Sequence, residues 1–363
     1  MANQFPLNTI LTGDTLDILP TLPEQCVDLV FADPPYNLQL KEDLWRPNLT
    51  KVDAVTDGWD QFGSFAEYDE FTRAWLTGCR RIMKDTATIW VSGTYHNIFR
   101  VGTIMQDLGF WVLNTVSWFK PNATPNFNGT RLKNDVEFVI WAKKSESSRY
   151  TFHHHRMKPF NDFNPGKQLG SVWKITATGG AERLRDDNGD KLHPTQKPKE
   201  LLKRIILASS NPDDVVFDPF LGSGTTAAVA KQLRRQWLGI ERDATYQAAA
   251  QERIDKVTPL SLDDPLLAEP VKPPRVAFRQ LVEAGYLQVG ERLYLDQPDC
   301  EAAIMADGRL QAGELSGSIH RLGARLKETP TCNGWMHWRY ADDEGNLHPI
   351  DALRQQYRAD MAD

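Results

Sequence analysis

The sequence has little cysteine and no long hydrophobic run. Its 363 residues include only four cysteines, Cys26, Cys79, Cys300 and Cys332, whose scatter lacks the pairing that zinc sites and disulfide frameworks need. No apolar run approaches the roughly 20 residues of a membrane span. The N-terminus lacks the basic and apolar regions of a secretory signal. These absences predict a protein with reduced thiols that lies in the cytoplasm and not in a membrane.

The chain also lacks an excess of positive charge. Its formal net charge is −6 at pH 7, which argues against general basicity but leaves room for local basic surface. Basic clusters occur at Arg131-Leu132-Lys133, at Lys143-Lys144 and at 153–158. The last cluster begins with three histidines, but no second group of metal-type ligands accompanies them, so we expect no metal site. Such clusters suit contact with nucleic-acid phosphates, although each alone is also typical of a solvated face.

The most informative motif present is Asp33-Pro34-Pro35-Tyr36. It follows the apolar run 27–32, which predicts a buried strand, so the motif falls where a strand ends and a loop begins. In open α/β sheets, ligands bind at that edge. The two prolines stiffen the backbone and remove two N–H donors. The motif therefore presents a carboxylate, rigid carbonyls and an aromatic ring that could bind the amine of a flat base; by itself it could also be only a turn.

A glycine-containing turn follows much later in the chain. Apolar residues 215–217 lead into Asp218-Pro219-Phe220-Leu221-Gly222-Ser223-Gly224-Thr225-Thr226, and a helix is predicted over 227–233. The two glycines let the backbone approach a ligand, and the N–H groups of the helix start face the same space. The turn lacks the third glycine of a dinucleotide fingerprint and the lysine of a P-loop. Glu241 ends the next predicted strand, about 20 residues after the glycines, where an acid accepts hydrogen bonds from ribose, although it could also be an ordinary strand-end acid.

A third motif, His193-Pro194-Thr195-Gln196-Lys197-Pro198, completes a pattern that resembles S-adenosylmethionine-dependent DNA amino-methyltransferases. The resemblance covers about residues 8–258, and the catalytic motif precedes the cofactor motif, as in the permuted beta class of that family. It implies S-adenosylmethionine as the cofactor and catalytic roles for Asp33, Pro34, Pro35 and Tyr36. The cofactor-binding residues that it implies are Asp14, Lys197, Asp218, Pro219, Phe220, Gly222, Ser223, Gly224, Thr225 and Glu241.

The same resemblance places a short strand at 10–14 in the sheet beside the strand of the glycine turn. Asp14 would then contact the adenine end of the cofactor. The residue could also be the N-cap of a helix predicted at 15–19, and the two roles are compatible.

Alternating strands and helices predict an α/β fold with a doubly wound, mainly parallel sheet. The resemblance implies that this sheet has the Rossmann-like, permuted methyltransferase fold. Residues 1–258 would form the methyltransferase domain with an inserted target-recognition segment. Residues 259–274 contain five prolines and predict a linker. Residues 275–363 resemble the small α+β accessory domain of some restriction-modification proteins. The predicted helices are 65–83, 97–108, 197–209, 244–257 and 278–284, and the predicted strands include 86–91, 111–119 and 135–142.

Two further segments suggest how DNA is held. The segment 37–61 directly follows Tyr36, and its apolar side chains are expected to overlie the target base, although a lid that packs on its own protein would look the same. The aromatic stretch 331–340 suits stacking on bases, with oligomerisation as the alternative role. The predicted DNA-binding residues are Leu38, Leu40, Trp45, Arg131, Lys133, His320, Arg321, Asn333 and Trp335.

The whole arrangement resembles the cell-cycle-regulated DNA adenine methyltransferases of alphaproteobacteria, which methylate adenine in GANTC. The resemblance implies transfer to N6 of a flipped adenine in double-stranded DNA by a bacterial, nucleoid-associated homodimer. Asp33 favours adenine, because cytosine-N4 methyltransferases, the main alternative, more often have serine there. The order of the motifs argues against RNA and protein-glutamine methyltransferases, and the intact motifs argue against a non-catalytic DNA-binding module.

Overall fold

The structure, a computed structural model, describes residues 5–38, 60–126, 129–186, 188–268, 274–296 and 300–361. The chain divides into two compact units, Met1–Pro270 and Val271–Asp363. The stretch predicted as a linker, 259–274, begins within the first unit, because Leu267 is buried in its core and accepts a hydrogen bond from Arg156 through its carbonyl. Within the described residues, no helix combines the length and apolar character that a membrane crossing requires.

The first unit is built on an eight-stranded sheet with the order β1-β8-β7-β2-β3-β5-β4-β6. All neighbours are parallel except the two pairs that β5 makes with β3 and β4. This architecture confirms the predicted α/β class with a mainly parallel sheet. The strands are β1 (Thr9–Thr12), β2 (Val27–Ala32), β3 (Met83–Gly93), β4 (Trp111–Phe119), β5 (Val136–Lys143), β6 (Val172–Lys174), β7 (Val215–Asp218) and β8 (Gln236–Glu241).

Helices cover both faces of this sheet. They are α1 (Thr15–Ile18), α2 (Phe65–Ile82), α3 (Ile98–Asp107), α4 (Lys199–Ser209), α5 (Thr225–Gln232) and α6 (Ala244–Asp255). Along β2, Leu29 and Phe31 pack into a cluster with apolar residues of α4, α5 and α6. Val30 and Ala32 pack into a second cluster with residues of α2 and α3. A strand buried on both faces needs an almost continuous apolar sequence, which is why 27–32 lacks polar alternation.

The neighbour of the first strand differs from the prediction. β1 was expected beside the strand of the glycine turn, β7, but it pairs in parallel with β8, with Thr12 opposite Glu241. A side-chain hydrogen bond from Asn8 to Gln236 and a backbone hydrogen bond from the Gly13 N–H to the Glu241 carbonyl fix this register. The prediction was wrong by one strand, because neither strand's own sequence records which parallel neighbour it will have. Asp14, which comes two residues after β1 in the chain, consequently lies beside the end of β8.

One edge of the sheet collects the loops that carry the motifs. Because β1, β2, β3, β7 and β8 are parallel, their carboxyl ends meet there. The end of β4 lies at the same edge, since Phe119 is opposite Val136 and Gly93 is opposite Phe138. The segment 120–135, which joins β4 to β5, therefore starts and ends at this edge. This is the edge at which open α/β sheets bind ligands.

The second unit is a separate α+β structure with its own core, as predicted. Its sheet has six strands in the order β12-β11-β10-β9-β13-β14, and all pairs are antiparallel. Two tryptophans, Trp335 and Trp338, are buried in the core. The elements are α7 (Phe278–Glu283), β9 (Arg292–Leu295), β10 (Glu301–Ile304), β11 (Leu310–Ala312), β12 (Leu315–Gly317), α8 (Ile319–Leu326), α9 (Gly334–His337), β13 (Trp338–Ala341), β14 (Leu347–Pro349) and α10 (Ile350–Asp360).

Candidate active site

Asp33 stands directly after β2, and both of its carboxylate oxygens have partners. Oδ1 accepts a hydrogen bond of 2.7 Å from the Tyr36 hydroxyl, and Oδ2 lies 2.6 Å from the ammonium of Lys197. The Tyr36 hydroxyl is also 3.0 Å from Oγ of Ser92 on β3. Burial and the neighbouring Asp33 carboxylate raise the pKa of Tyr36 well above its usual value, so the hydroxyl keeps its proton as a donor. The geometry holds the carboxylate in one orientation.

The backbone of this corner is held by a residue that sequence reasoning missed, Asp60. Its Oδ1 accepts from the N–H groups of Tyr36 and Asn37 at 2.5 and 2.8 Å, and its Oδ2 accepts from that of Leu38 at 3.1 Å. Burial raises the pKa of Asp60, and the three N–H donors oppose that rise. A second anchor is the Tyr68 hydroxyl, which donates to the Pro35 carbonyl at 2.9 Å. Asp60 lies 24 positions after Tyr36 and belongs to no motif, so its role becomes visible only in the structure.

The glycine turn joins β7 to α5 and is held by hydrogen bonds to the Asp218 carboxylate. Asp218 is buried, accepting from the Phe220 N–H at 2.9 Å and from the Thr226 hydroxyl at 2.6 Å. Burial raises the pKa of Asp218 to about 7. Gly222 and Gly224 have positive φ angles of 53° and 75°. A Cβ at Gly222 would lie 2.8 Å from Nε2 of His193, so only glycine permits this contact with the third motif.

Three predicted cofactor residues, Ser223, Gly224 and Thr225, make contacts that hold the turn in place. The buried guanidinium of Arg253 donates to the Thr225 hydroxyl at 2.6 Å and to the Ser223 carbonyl at 3.0 Å. Gly224 packs against α6, where a Cβ would come within 2.7 Å of the Ala250 side chain. These contacts give Ser223, Gly224 and Thr225 a role in the shape of the turn.

Two carboxylates lie at the ends of the neighbouring strands. Glu241 accepts from the N–H groups of Gly222 and Asp243, each at 2.8 Å, and burial raises its pKa. Asp14 is the N-cap of α1, accepting from the Leu16 N–H at 2.8 Å. Each carboxylate oxygen has two lone-pair directions, so both acids keep capacity for a further donor.

A cavity of about 900 Å³ connects the Asp33 corner with the glycine turn. Among its acidic and basic lining residues acids predominate, with five carboxylates against Arg242 and His193. Its aromatic part includes Phe62, Phe71 and Phe220. The ring centroid of Phe71 lies 5.2 Å from that of Phe62 and 6.1 Å from that of Phe220. The predicted site residues that line it are Asp14, Asp33, Pro34, Pro35, Tyr36, Leu38, Pro219, Phe220, Gly222 and Glu241. A smaller cavity of about 20 Å³ is lined by Lys197, Asp218, Ser223 and Thr225, together with Asp33.

The predicted DNA contacts of the first unit are only partly described. Leu38 lines the large cavity, whereas Leu40 and Trp45 lie outside the described residues. Arg131 is exposed and donates to the Tyr95 hydroxyl at 2.8 Å, and Lys133 lies 3.5 Å from Asp135. Both basic residues belong to 120–135, the segment that returns to the carboxyl edge.

The predicted contacts of the second unit fall into two environments. His320, Arg321 and Asn333 are exposed. Nδ1 of His320 accepts from the Gly334 N–H at 3.0 Å, which ties α8 to α9. Trp335 is buried, with the Arg354 guanidinium 4.4 Å from its ring centroid. Its ring is therefore part of the core of the second unit.

Within the described part of the chain, no three histidine, cysteine, aspartate or glutamate side chains are grouped as metal ligands would be.

Comparison with known proteins follows the same division of the chain. The profile of a family described as DNA methylase matches residues 27–252, and a profile described as restriction enzyme adenine methylase associated matches residues 264–363. The Type II methyltransferase M.HinfI of Haemophilus influenzae is 43% identical over 355 residues, or 98% of each chain. The Type II methyltransferase M2.LlaDCHI of Lactococcus lactis subsp. cremoris is 38% identical over 69% of this chain and 90% of its own. The solved cytosine-N4-specific PvuII DNA methyltransferase matches 69% of this chain and 88% of its own, with 23% identity and a TM-score of 0.53, which shows a common fold.

Proposed function

Because the chain belongs to the DNA methylase family, we propose that it transfers a methyl group from S-adenosylmethionine to N6 of a flipped adenine in double-stranded DNA. The observation that carries the proposal is the cavity of about 900 Å³ that is lined by both the Asp33 corner and the glycine turn. An amine acceptor and a nucleoside-binding turn that face one space can bring a base and a methyl donor together.

The residues around the cavity fit S-adenosylmethionine. The molecule is a nucleoside with ribose hydroxyls, a positively charged sulfonium and an ammonium group. Glu241 and Asp14 have free lone pairs for hydroxyl or amine donors, and five lining carboxylates favour a cationic ligand. When bound, S-adenosylmethionine supplies an electrophilic methyl group.

The chain's own residues would prepare the target amine. N6 of adenine is a poor nucleophile because its lone pair is delocalised into the ring. Asp33 and the Pro34 carbonyl would accept hydrogen bonds from the two N6 hydrogens, which favours a tetrahedral nitrogen with an available lone pair. Tyr36, which lines the same cavity, would stack on the flipped base. Formation of the N–C bond would be matched by cleavage of the methyl–sulfur bond, and the proton that N6 then loses would pass to the Asp33 carboxylate.

Two observations support adenine over cytosine. Position 33 is aspartate, where cytosine-N4 enzymes more often have serine. The profile that matches residues 264–363 describes a segment associated with adenine methylases. The likeness to a cytosine-N4-specific enzyme concerns the fold and carries no argument about the base.

We further propose a site-specific, nucleoid-associated homodimer that acts in the cell cycle and recognises GANTC, on the resemblance to the alphaproteobacterial enzymes. The exposed Arg131 and Lys133 at the carboxyl edge and the exposed His320, Arg321 and Asn333 support contact with DNA phosphates.

The test is to methylate random-sequence DNA with labelled cofactor, map the modified positions, and digest the product to nucleosides. We expect N6-methyladenine within GANTC, and no product from Asp33→Ala protein that still binds cofactor. The matched control, Asp17→Ala, removes an exposed carboxylate of α1 and should leave the rate unchanged. N4-methylcytosine would favour the alternative substrate, and native activity of the Asp33→Ala variant would remove Asp33 from the mechanism.

A further inference from the structure

We propose that Lys197 is a positioning residue for Asp33, a role that rests on the proposed function. Its ammonium fixes the carboxylate in the orientation that accepts the target amine. The resemblance of the third motif, His193–Pro198, to that of the family implies instead that Lys197 contacts the cofactor. The two roles make different predictions.

The contacts of the ammonium favour the first role. Nζ lies 2.6 Å from Oδ2 of Asp33 and 3.3 Å from the Thr195 carbonyl, and it is 5.3 Å from the centroid of the Tyr36 ring. The two ion-paired side chains are only 8% and 15% exposed. A buried charge pair of this geometry constrains both partners, because either one alone would leave an uncompensated charge.

The backbone explains how the lysine reaches this position. Lys197 precedes Pro198, and a residue before proline is biased toward extended conformations. Helix α4 accordingly begins at Lys199, with Pro198 as its N-cap, two residues later than the sequence predicts. The side chain of Lys197 is therefore presented from a rigid loop at the carboxyl edge and not from a helix.

The surroundings of Asp33 show why a cation is needed there. Asp60 anchors the same corner, and Asp218 lines the same small cavity as Asp33. The negative charge of Asp33 repels both of these carboxylates. A further carboxylate, Glu137, acts on Tyr36 but has its own cation, Lys120, at 2.7 Å. Among the described residues, the ion pair that Asp33 makes is with Lys197.

Lys197 differs from His193 and Thr195 in the cavities that it lines. His193 and Thr195 line both the small cavity and the large one, which we assign to the cofactor and the base. Lys197 lines the small cavity, together with Asp33 and Asp218, and is not among the residues that line the large one. A cofactor in the large cavity would therefore meet His193 and Thr195, while the lysine acts through Asp33.

The experiment compares Lys197→Met with Lys199→Met in the full-length protein. Lys199 is exposed, so this control removes an equal charge from the same segment. Titration calorimetry gives the Kd for S-adenosylmethionine, and single-turnover methylation of the mapped DNA site at saturating cofactor gives the rate. We expect Lys197→Met to lower that rate by about 100-fold, as misplacement of a reacting group does, and to change the cofactor Kd less than 2-fold. Lys199→Met should leave both values unchanged.

A double-mutant cycle with Asp33→Asn separates action through Asp33 from other effects of Lys197. The double variant, Lys197→Met with Asp33→Asn, has no unpaired buried charge at this site, so it stays informative if Lys197→Met alone misfolds. In the Asp33→Asn background, Lys197→Met should change the single-turnover rate less than about 3-fold, because the partner charge is already gone. A weakened cofactor Kd with a native saturated rate would make Lys197 a cofactor ligand and overturn the inference. An equal loss of rate in both backgrounds would also overturn it. Failure of the unaltered protein to methylate any DNA would instead remove the proposed function itself, and the inference with it.

Discussion

Gly222 is the residue at which backbone conformation and the site meet most closely. Its φ is 53°, and a Cβ would lie 2.8 Å from the His193 imidazole, whereas Gly180 has a φ of 54° and no atom within 4 Å. Ala at either position should cost about 1–2 kcal/mol for the left-handed backbone. Gly222→Ala must also displace His193 from the cavity wall, so we expect it alone to weaken S-adenosylmethionine binding, by at least about 10-fold. Denaturant unfolding and calorimetric titration of both variants measure the two effects.

Equal cofactor affinity in the Gly222→Ala and Gly180→Ala proteins would contradict this account. It would mean that the close contact with His193 is dispensable for the shape of the cofactor end of the cavity.

Asp218 makes the stability of the first unit depend on pH. Its pKa is about 7 in the folded protein against an ordinary 3.8. Between these values the folded state holds a proton that the unfolded chain has released, so this contribution to stability falls as pH rises toward 7. The slope approaches about 1.4 kcal/mol per pH unit in that window. The amide of Asp218→Asn can hydrogen-bond to both Phe220 and Thr226. We expect this variant to show a weaker dependence of the free energy of unfolding on pH and to be the more stable protein at pH 8.

The measurement is the free energy of unfolding of both proteins at several pH values from 4 to 8. Parallel curves would show that Asp218 is ionised throughout and that its burial is compensated by other groups.

At the residue scale, the sequence was informative where neighbouring positions act together. Asp33 and Tyr36 are three positions apart, and their hydrogen bond belongs to one motif. The Asp33–Lys197 ion pair joins positions 164 apart, and Asp60 bonds to a motif 24 positions away. Those contacts depend on the tertiary fold, and a lone aspartate or a lysine in a second motif gives no local sign of its partner.

At the scale of elements, the loop after β2 depends on the Asp60 carboxylate. Three backbone N–H groups converge on it, from Tyr36, Asn37 and Leu38. Asp60→Ala would leave these donors without the acceptor, and each orphaned buried donor costs about 1–3 kcal/mol. We expect Asp60→Ala to lower both stability and the methylation rate. Asp60→Asn keeps a carbonyl oxygen for two of the donors and should lose less in both measurements.

Unfolding by urea and single-turnover methylation, measured on both Asp60 variants, check the ranking. If Asp60→Asn loses as much as Asp60→Ala, the negative charge, and not the hydrogen bonds, holds the loop.

Element boundaries were predictable where the hydrophobic period is strong. The strand expected at 111–119 is β4, Trp111–Phe119, and the helix expected at 65–83 ends one residue earlier, at Ile82. The neighbour of β1 was not predictable, since any apolar strand of the sheet offers the same backbone ladder to it. Its place beside β8 is set by contacts such as that of Asn8 with Gln236, more than two hundred positions away.

At the scale of the whole molecule, a chain with a net charge of −6 must bind DNA through local basic surface. We propose that Arg131, which bonds to Tyr95 at the carboxyl edge, belongs to such a surface. Arg73 instead pairs with Asp107 near the start of β4, at the opposite edge. Both are exposed arginines, so Arg73→Ala is the matched control for Arg131→Ala. We expect only Arg131→Ala to weaken DNA binding, and to reduce the slope of log affinity against log salt by about 1.

Fluorescence anisotropy with labelled duplex, across a series of salt concentrations, measures that slope. A loss of affinity in the Arg131→Ala protein with an unchanged slope would show that the arginine supports its neighbour Tyr95 and does not meet a phosphate.

The hydrogen bonds of Asp60 have a consequence for the order of folding. The Leu38 nitrogen and Oδ2 of Asp60 are 3.1 Å apart, although the two residues are 22 positions apart in the sequence. Closing a loop costs chain entropy, and the cost rises by about 0.6 kcal/mol for each doubling of its length. The backbone of residues 36–38 therefore gains its hydrogen-bond acceptor only when that loop has closed. We expect the amide protons of Tyr36, Asn37 and Leu38 to exchange with solvent as one group.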